Sequence, residues 1–213
     1  MKVEIWSDVM CPFCYIGKRK FEKALEQFPY KDEVEVEWKS FQLDPSIETD
    51  AAKTVHQFLA ERKGISPEQA KQMNDRVTGI AKEVGLTYNF DKAVMANSFD
   101  AHRFSHLAKQ EGLQDQAEEL LFSSYFTNGK NTADHDTLIK LGTEIGINPE
   151  KMKEMLNSEK FFEEVDADIN EAQKLGISGV PFFVINRKYA VSGAQESATF
   201  LDVLNKVHEE NKV

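Results

Sequence analysis

Cysteine is scarce in this chain of 213 residues: there are two, Cys11 and Cys14, and only Pro12 and Phe13 separate them. A framework of disulfides is therefore excluded, and a four-ligand zinc site would have to recruit from five dispersed histidines, of which only His102 and His106 stand one helical turn apart. Basic charge is also short, with 26 Lys and Arg against 36 Asp and Glu for a net charge of -10. That balance argues against nucleic-acid or anionic-membrane partners, which reward clustered cations. Long apolar runs are missing too. The longest, Val180 to Ile185, falls far short of the roughly 18 residues of a membrane span. No Gly-rich phosphate loop and no credible ligand cluster point to a nucleotide, a flavin or a metal. The amino terminus enters an alternating strand pattern at once, without the segments of a signal peptide, so the sequence predicts a cytoplasmic protein.

What is present is concentrated in "SDVMCPFCYIGKRKFEKAL", Ser7 to Leu25. In a reducing compartment a structural disulfide across so short a loop has little to offer, about 2 kcal/mol by chain entropy. Two inert core thiols fit poorly with the polar, turn-forming neighbours. A thiol-disulfide redox centre, with Cys11 attacking and Cys14 resolving, is the reading to which the local pattern leads. Val3 and Ile5 alternate as in a strand, and Tyr15, Ile16, Phe21, Ala24, Leu25 and Phe28 recur at near-helical spacing. Pro12 suits the first helical turn, which puts Cys11 at the helix amino end, where unpaired N–H groups and the macrodipole favour a thiolate.

Val34 to Leu43 reads as an edge strand with one wet face carrying Glu35, Glu37 and Lys39, so strand, helix and strand form a βαβ unit. Near the other end, "GVPFFVINRKYAVSGAQES" predicts a buried strand, a turn at 186–188 and a short second strand, followed by an amphipathic final helix. From about Pro45 to Gly176 the pattern is wholly helical, six or seven helices without strands. The expected architecture is α/β, with residues 1–44 and 177–213 forming one discontinuous domain around a helical insertion at 45–176.

The "DVMCPFCYIGK" and "GVPFFVIN" segments, with "VSGAQES" and the looser "NSFDAHRFSHLAKQEG" between them, resemble the DsbA-like branch of the thioredoxin fold. The resemblance is closest to its cytosolic FrnE-type members and spans essentially the whole chain. It implies a thioredoxin-like fold with a large inserted helical domain, and a dithiol-disulfide oxidoreductase using Cys11 and Cys14. Read from the residues alone, Pro181 is an ordinary trans proline opening a strand. The resemblance instead implies a cis proline facing the cysteines, with Val180 offering its backbone to an extended substrate. Phe13, Trp6 and Phe182 are candidates for an apolar cleft floor, although such rings are more often core.

The resemblance extends to 2-hydroxychromene-2-carboxylate isomerases and kappa-class glutathione transferases, which carry Ser where Cys11 stands. In those enzymes the segment matching Ala194, Gln195 and Glu196 holds the glutathione carboxylate. A glutathione-dependent isomerase or transferase is therefore the alternative function, and an adaptor or holding chaperone a third. Glutathione enters as a candidate co-substrate, with no cofactor expected to be tightly bound. The expected partners are protein or peptide thiols and disulfides, for a monomer or homodimer. Asn97, His102 and Arg103 lie in a stretch similar to an Asn-Ser-x-x-Ala-His-Arg segment of the family, with Asn97 a candidate for reaching the cleft. Asp8 is expected to cap the turn into the helix, and Lys18 to Lys20 to be a solvated face.

Overall fold

A computed structural model describes residues 1–210 and divides the chain into two compact units, 1–43 with 165 onward, and 44–164. In the first unit, β1 (Lys2–Ser7) leads into α1 (Pro12–Gln27), and a single 3-10 turn at Lys31–Glu33 precedes β2 (Glu35–Ser40). The chain returns through α8 (Phe162–Lys174), β5 (Phe182–Ile185), β6 (Tyr189–Ser192) and α9 (Ser197–Glu210). The four strands form one sheet in the order β2-β1-β5-β6. β1 and β2 are parallel, with Ile5 opposite Trp38, and the other neighbours are antiparallel. The β5–β6 hairpin turns through residues 186–188, with Asn186 and Arg187 at positive φ and the Lys188 N–H donating to the Ile185 carbonyl at 3.0 Å.

One face of this sheet is closed by rings from three elements. Phe183 of β5 lies 5.5 Å from Phe21 of α1 and 4.6 Å from Phe200 of α9. These are productive aromatic geometries, and they bind α1 and α9 to the strand between them. On a second buried cluster, Trp6 packs with Ala172 of α8, Ile177 and Val184, joined by Phe41, Val180 and Phe182. Trp6 Nε1 donates to the Asp168 carbonyl at 3.0 Å, and Ser40 N–H donates to the Asp168 carboxylate at 2.9 Å. Trp6 is thus core rather than cleft floor.

This changes two expectations. The return to the first unit falls at 165 rather than 177, because α8 supplies Asp168 and Ala172 to the β1–β2 face. β2 is an edge strand as expected, but its polar face is only partly wet. Glu37 is buried, and Lys39 makes ion pairs with Asp168 at 2.9 Å, with Glu171 at 3.4 Å and with Glu37 at 3.5 Å.

The second unit is built from α2 (Val55–Lys63), α3 (Pro67–Glu83), α4 (Phe99–Gln110), α5 (Gln114–Phe122), α6 (His135–Glu144) and α7 (Pro149–Leu156). Thr54 and Ser66 close complete capping boxes with Gln57 and Gln69, which fixes where α2 and α3 start. The unit is not wholly helical: β3 (Asp50–Thr54) pairs antiparallel with the two-residue β4 (Val94–Met95). Arg103 on α4, 2% exposed, donates to the carbonyls of Met155, Ser158 and Lys160 and pairs with Asp100. It ties down the turn after α7, adding to the bonds that the Met155 carbonyl already accepts from Ser158 and supplying a donor to the Ser158 and Lys160 carbonyls.

Candidate active site

β1 ends at Ser7, and five residues later, at Pro12, the chain is helical. Within that short connection the Asp8 carboxylate accepts N–H bonds from Met10 at 3.3 Å and Leu43 at 2.8 Å, while the Asp8 carbonyl accepts the Cys11 N–H at 2.9 Å. Asp8 therefore holds the loop to the strand end rather than capping the helix. The N-cap residue is Cys11 itself, in extended backbone, with no side-chain capping bond and with Pro12 in the first turn. Its sulfur is left to face the helix amino end and its own partners.

The two cysteines are free thiols with different surroundings. Cys11 is 4% exposed and its thiol donates to the Val180 carbonyl at 3.4 Å. Cys14, one turn inside α1, is fully buried. Burial pushes the Cys14 thiol well above its ordinary range, and the Cys11 sulfur beside it acts in the same direction. The Ser7 hydroxyl and the Asp8 N–H act the other way. Between two buried sulfurs, Phe13 is 40% exposed.

The Val180–Pro181 peptide is cis. A Cβ placed on Gly17 would stand 2.9 Å from Pro181 Cγ and 3.6 Å from Ala194 Cα, so a glycine in α1 is what lets the Pro181 loop approach this helix so closely. The Pro181 carbonyl accepts the Gly193 N–H at 2.8 Å, joining this loop to the end of β6. Beside it opens a cleft of about 270 Å³ lined by residues that include Ser178, Val180, Pro181, Phe182, Ser192 and Gly193.

Cys11, Pro12, Phe13, Cys14, Val180 and Pro181 thus converge. The other candidates are engaged elsewhere. The Gln195 N–H donates to the Gly193 carbonyl at 3.0 Å and its side chain to the Ser192 carbonyl at 2.8 Å, while Lys20 bonds the Ala194 carbonyl and pairs with Glu196. Asn97 belongs to the second unit, where its amide donates to the Pro45 and Ile47 carbonyls and its oxygen accepts the Phe99 N–H. His102 is buried on α4. The Lys18–Lys20 run is not a solvated face: Lys18 is buried against Glu22, and Arg19 bonds Glu22 and lies over the Tyr15 ring. Sequence reasoning missed Ser7 and Gly17, whose roles depend on what folds against them. Among the described residues no group of three or more His, Cys, Asp and Glu side chains could hold a metal, and no helix is long and apolar enough to cross a membrane.

Comparison with known proteins agrees with this geometry. A probable DsbA oxidoreductase from Streptomyces coelicolor superposes with a TM-score of 0.93 at 39% identity, covering 99% of this chain and 91% of its own. A 2-hydroxychromene-2-carboxylate isomerase superposes with a TM-score of 0.73 at 13% identity, covering 100% and 98%. The cytosolic disulfide reductase DsbM from Pseudomonas aeruginosa, also solved with glutathione, gives 0.67 at 15% identity, covering 98% and 99%. The last two share the fold. The model of the DSBA-like thioredoxin domain matches residues 2–205, and the chain belongs to that family.

Proposed function

We propose that the protein is a thiol-disulfide oxidoreductase that exchanges disulfides with protein or low-molecular-weight thiols through Cys11-Pro12-Phe13-Cys14. The observation that carries this reading is the position of the Cys11 sulfur, at the amino end of α1 and 3.4 Å from the carbonyl that precedes cis-Pro181. A helix amino end favours the thiolate, the species that attacks.

In the reducing direction, the Cys11 thiolate attacks one sulfur of a substrate disulfide, forming a mixed disulfide and expelling the first substrate thiolate. Cys14 then loses its proton to that leaving thiolate and attacks the Cys11 sulfur. The Cys11–Cys14 disulfide forms, and the second substrate thiolate departs and takes a proton from water. Electrons pass only between sulfurs, so no resident cofactor is needed. A second dithiol, or two molecules of a thiol such as glutathione, returns the pair to its reduced state. The Val180 backbone and the adjoining cleft suit an extended peptide. We place the activity in the cytoplasm, in a monomer or homodimer.

A glutathione-dependent isomerase or transferase is the second reading, favoured by the fold shared with the isomerase. Against it stand the presence of Cys14 and the Gln195 N–H already bonded to Gly193. The deciding experiment titrates the pair across glutathione redox buffers by thiol trapping, with Cys14→Ser in parallel. Exchange requires a Cys11–Cys14 disulfide in the wild type and a trapped Cys11 mixed disulfide in Cys14→Ser. Failure to form either overturns it, and glutathione-dependent turnover that survives Cys14→Ser establishes the isomerase reading.

A further inference from the structure

Ser7 ends β1 directly beneath the loop that carries Cys11. It is 2% exposed, its carbonyl accepts the Phe41 N–H at 3.0 Å, and its hydroxyl oxygen has no hydrogen-bond partner among the described residues. A buried hydroxyl without a partner is costly, and Ala in its place would avoid the cost. The group beside it is the Cys14 sulfur, with the Asp8 N–H as the other donor on that side.

In the dithiol protein the Cys14 thiol is neutral and a weak acceptor. During resolution that sulfur must become an anion inside a fully buried site, and an anionic sulfur is a strong acceptor. An interaction that is poor in the resting state and strong in the reacting one lowers the barrier rather than the starting level.

Resting on the oxidoreductase reading, we infer that the Ser7 hydroxyl is a catalytic donor for the resolving step, hydrogen-bonding the Cys14 thiolate as it attacks the Cys11 sulfur of the mixed disulfide. The Cys14 proton leaves to the expelled substrate thiolate where that thiolate is basic, and to water where it is a weakly basic aromatic one. Ser7 keeps its own proton and is unchanged at the end of the cycle. The Asp8 N–H is a second, main-chain donor that side-chain substitution leaves in place.

The test follows single-turnover reduction of a symmetrical aromatic disulfide whose released thiolate is coloured. Attack by Cys11 frees the first thiolate, and resolution by Cys14 frees the second. Ser7→Ala is expected to leave the first step unchanged. It slows the second about tenfold or more, in keeping with loss of one hydrogen bond to a charged group, and moves that step's pH midpoint upward. Because the substitution removes an unpaired buried hydroxyl, its denaturant midpoint is expected to equal or exceed the wild type's, opposite in sign to a merely structural role. Ser7→Gly removes the same hydroxyl with different packing and must show the same second-step loss. A wild-type second-step rate and pH midpoint in either folded variant overturns the role of Ser7. Release of only the first thiolate by the wild type itself overturns the oxidoreductase reading and this inference with it.

Discussion

In the 44–164 unit, Ser105 donates to the Glu118 carboxylate at 2.6 Å and accepts from Gln114 at 3.3 Å, and Arg103 closes the turn after α7 through three carbonyls. At the end of β1, the equally buried Ser7 hydroxyl is left without such a partner beside a sulfur whose ionisation is opposed by burial. Both regions bury polar groups, and the Thr132 hydroxyl of the helical unit is unpartnered like that of Ser7; what sets the two apart is the neighbour, since Ser105 and Arg103 are satisfied and fix a shape, while Ser7 stands beside a sulfur on which charge must appear. An unpartnered buried hydroxyl points to function only where a group that changes charge lies beside it, as Cys14 lies beside Ser7.

The contrast is tested most severely at Arg103. Arg103→Ala removes the side-chain donor to the Ser158 and Lys160 carbonyls and one of several to Met155, and it leaves Asp100 without its guanidinium, so we expect a loss of about 3 kcal/mol in urea unfolding. The exchange rate per folded molecule should stay unchanged. A large kinetic effect with little loss of stability would erase the distinction between the two regions.

Alkaline pH makes a smaller demand, confined to the redox unit. The folded Cys14 thiol is raised, so its contribution to stability is complete below the unfolded thiol value of about 8.5. It is lost as pH rises toward the folded value, at up to about 1.4 kcal/mol per pH unit. Urea unfolding of the dithiol protein across this range should show that slope, and Cys14→Ser should remove it.

Gly17→Ala sets two known effects against each other. Ala improves a helix interior by about 1 kcal/mol, whereas its methyl group would meet the Pro181 ring, and overpacking of this kind costs about 1–3 kcal/mol. A net loss of about 1 kcal/mol with clearly slowed exchange is expected, and unaltered kinetics would show that the fit of this loop is not limiting. The smallest effect is at Asn97: Asn97→Ala should cost about 1 kcal/mol by loosening residues 45–49, without altering exchange. Altered exchange at unchanged stability would instead place Asn97 against substrate.

Much of the redox unit was readable because its signals are local. A strand, a Cys-Pro-Phe-Cys turn and a helix follow one another within 27 residues, and the hairpin at Asn186 and Arg187 announces itself by its turn residues. The role of α8 was not readable. Its amphipathic pattern says only that one face is covered, and the partners of Asp168, Trp6 and Lys39, lie more than a hundred residues earlier. For the same reason Glu37 and Lys39 read as solvated, since an alternating strand records polarity and not the carboxylate arriving from elsewhere. β3, with sequence DAAKT, lacks the β-branched and aromatic residues that mark strands, and β4 is too short to show any period. Ser7 carries no signal of its own in the sequence, since only the packing of α1 places the Cys14 sulfur beside it.

Phe13 is exposed between two buried sulfurs, and the slight exposure of Cys11 against none at Cys14 makes a native thiol count depend on the size of the reagent. A compact alkylating agent is expected to reach Cys11 well before a bulky fluorescent maleimide does, and Cys14 to meet neither until the chain unfolds. Thiol counts taken on the native protein with large labels will therefore read low for the dithiol state, and the difference between small-label and large-label counts becomes a direct gauge of how far the entrance is open.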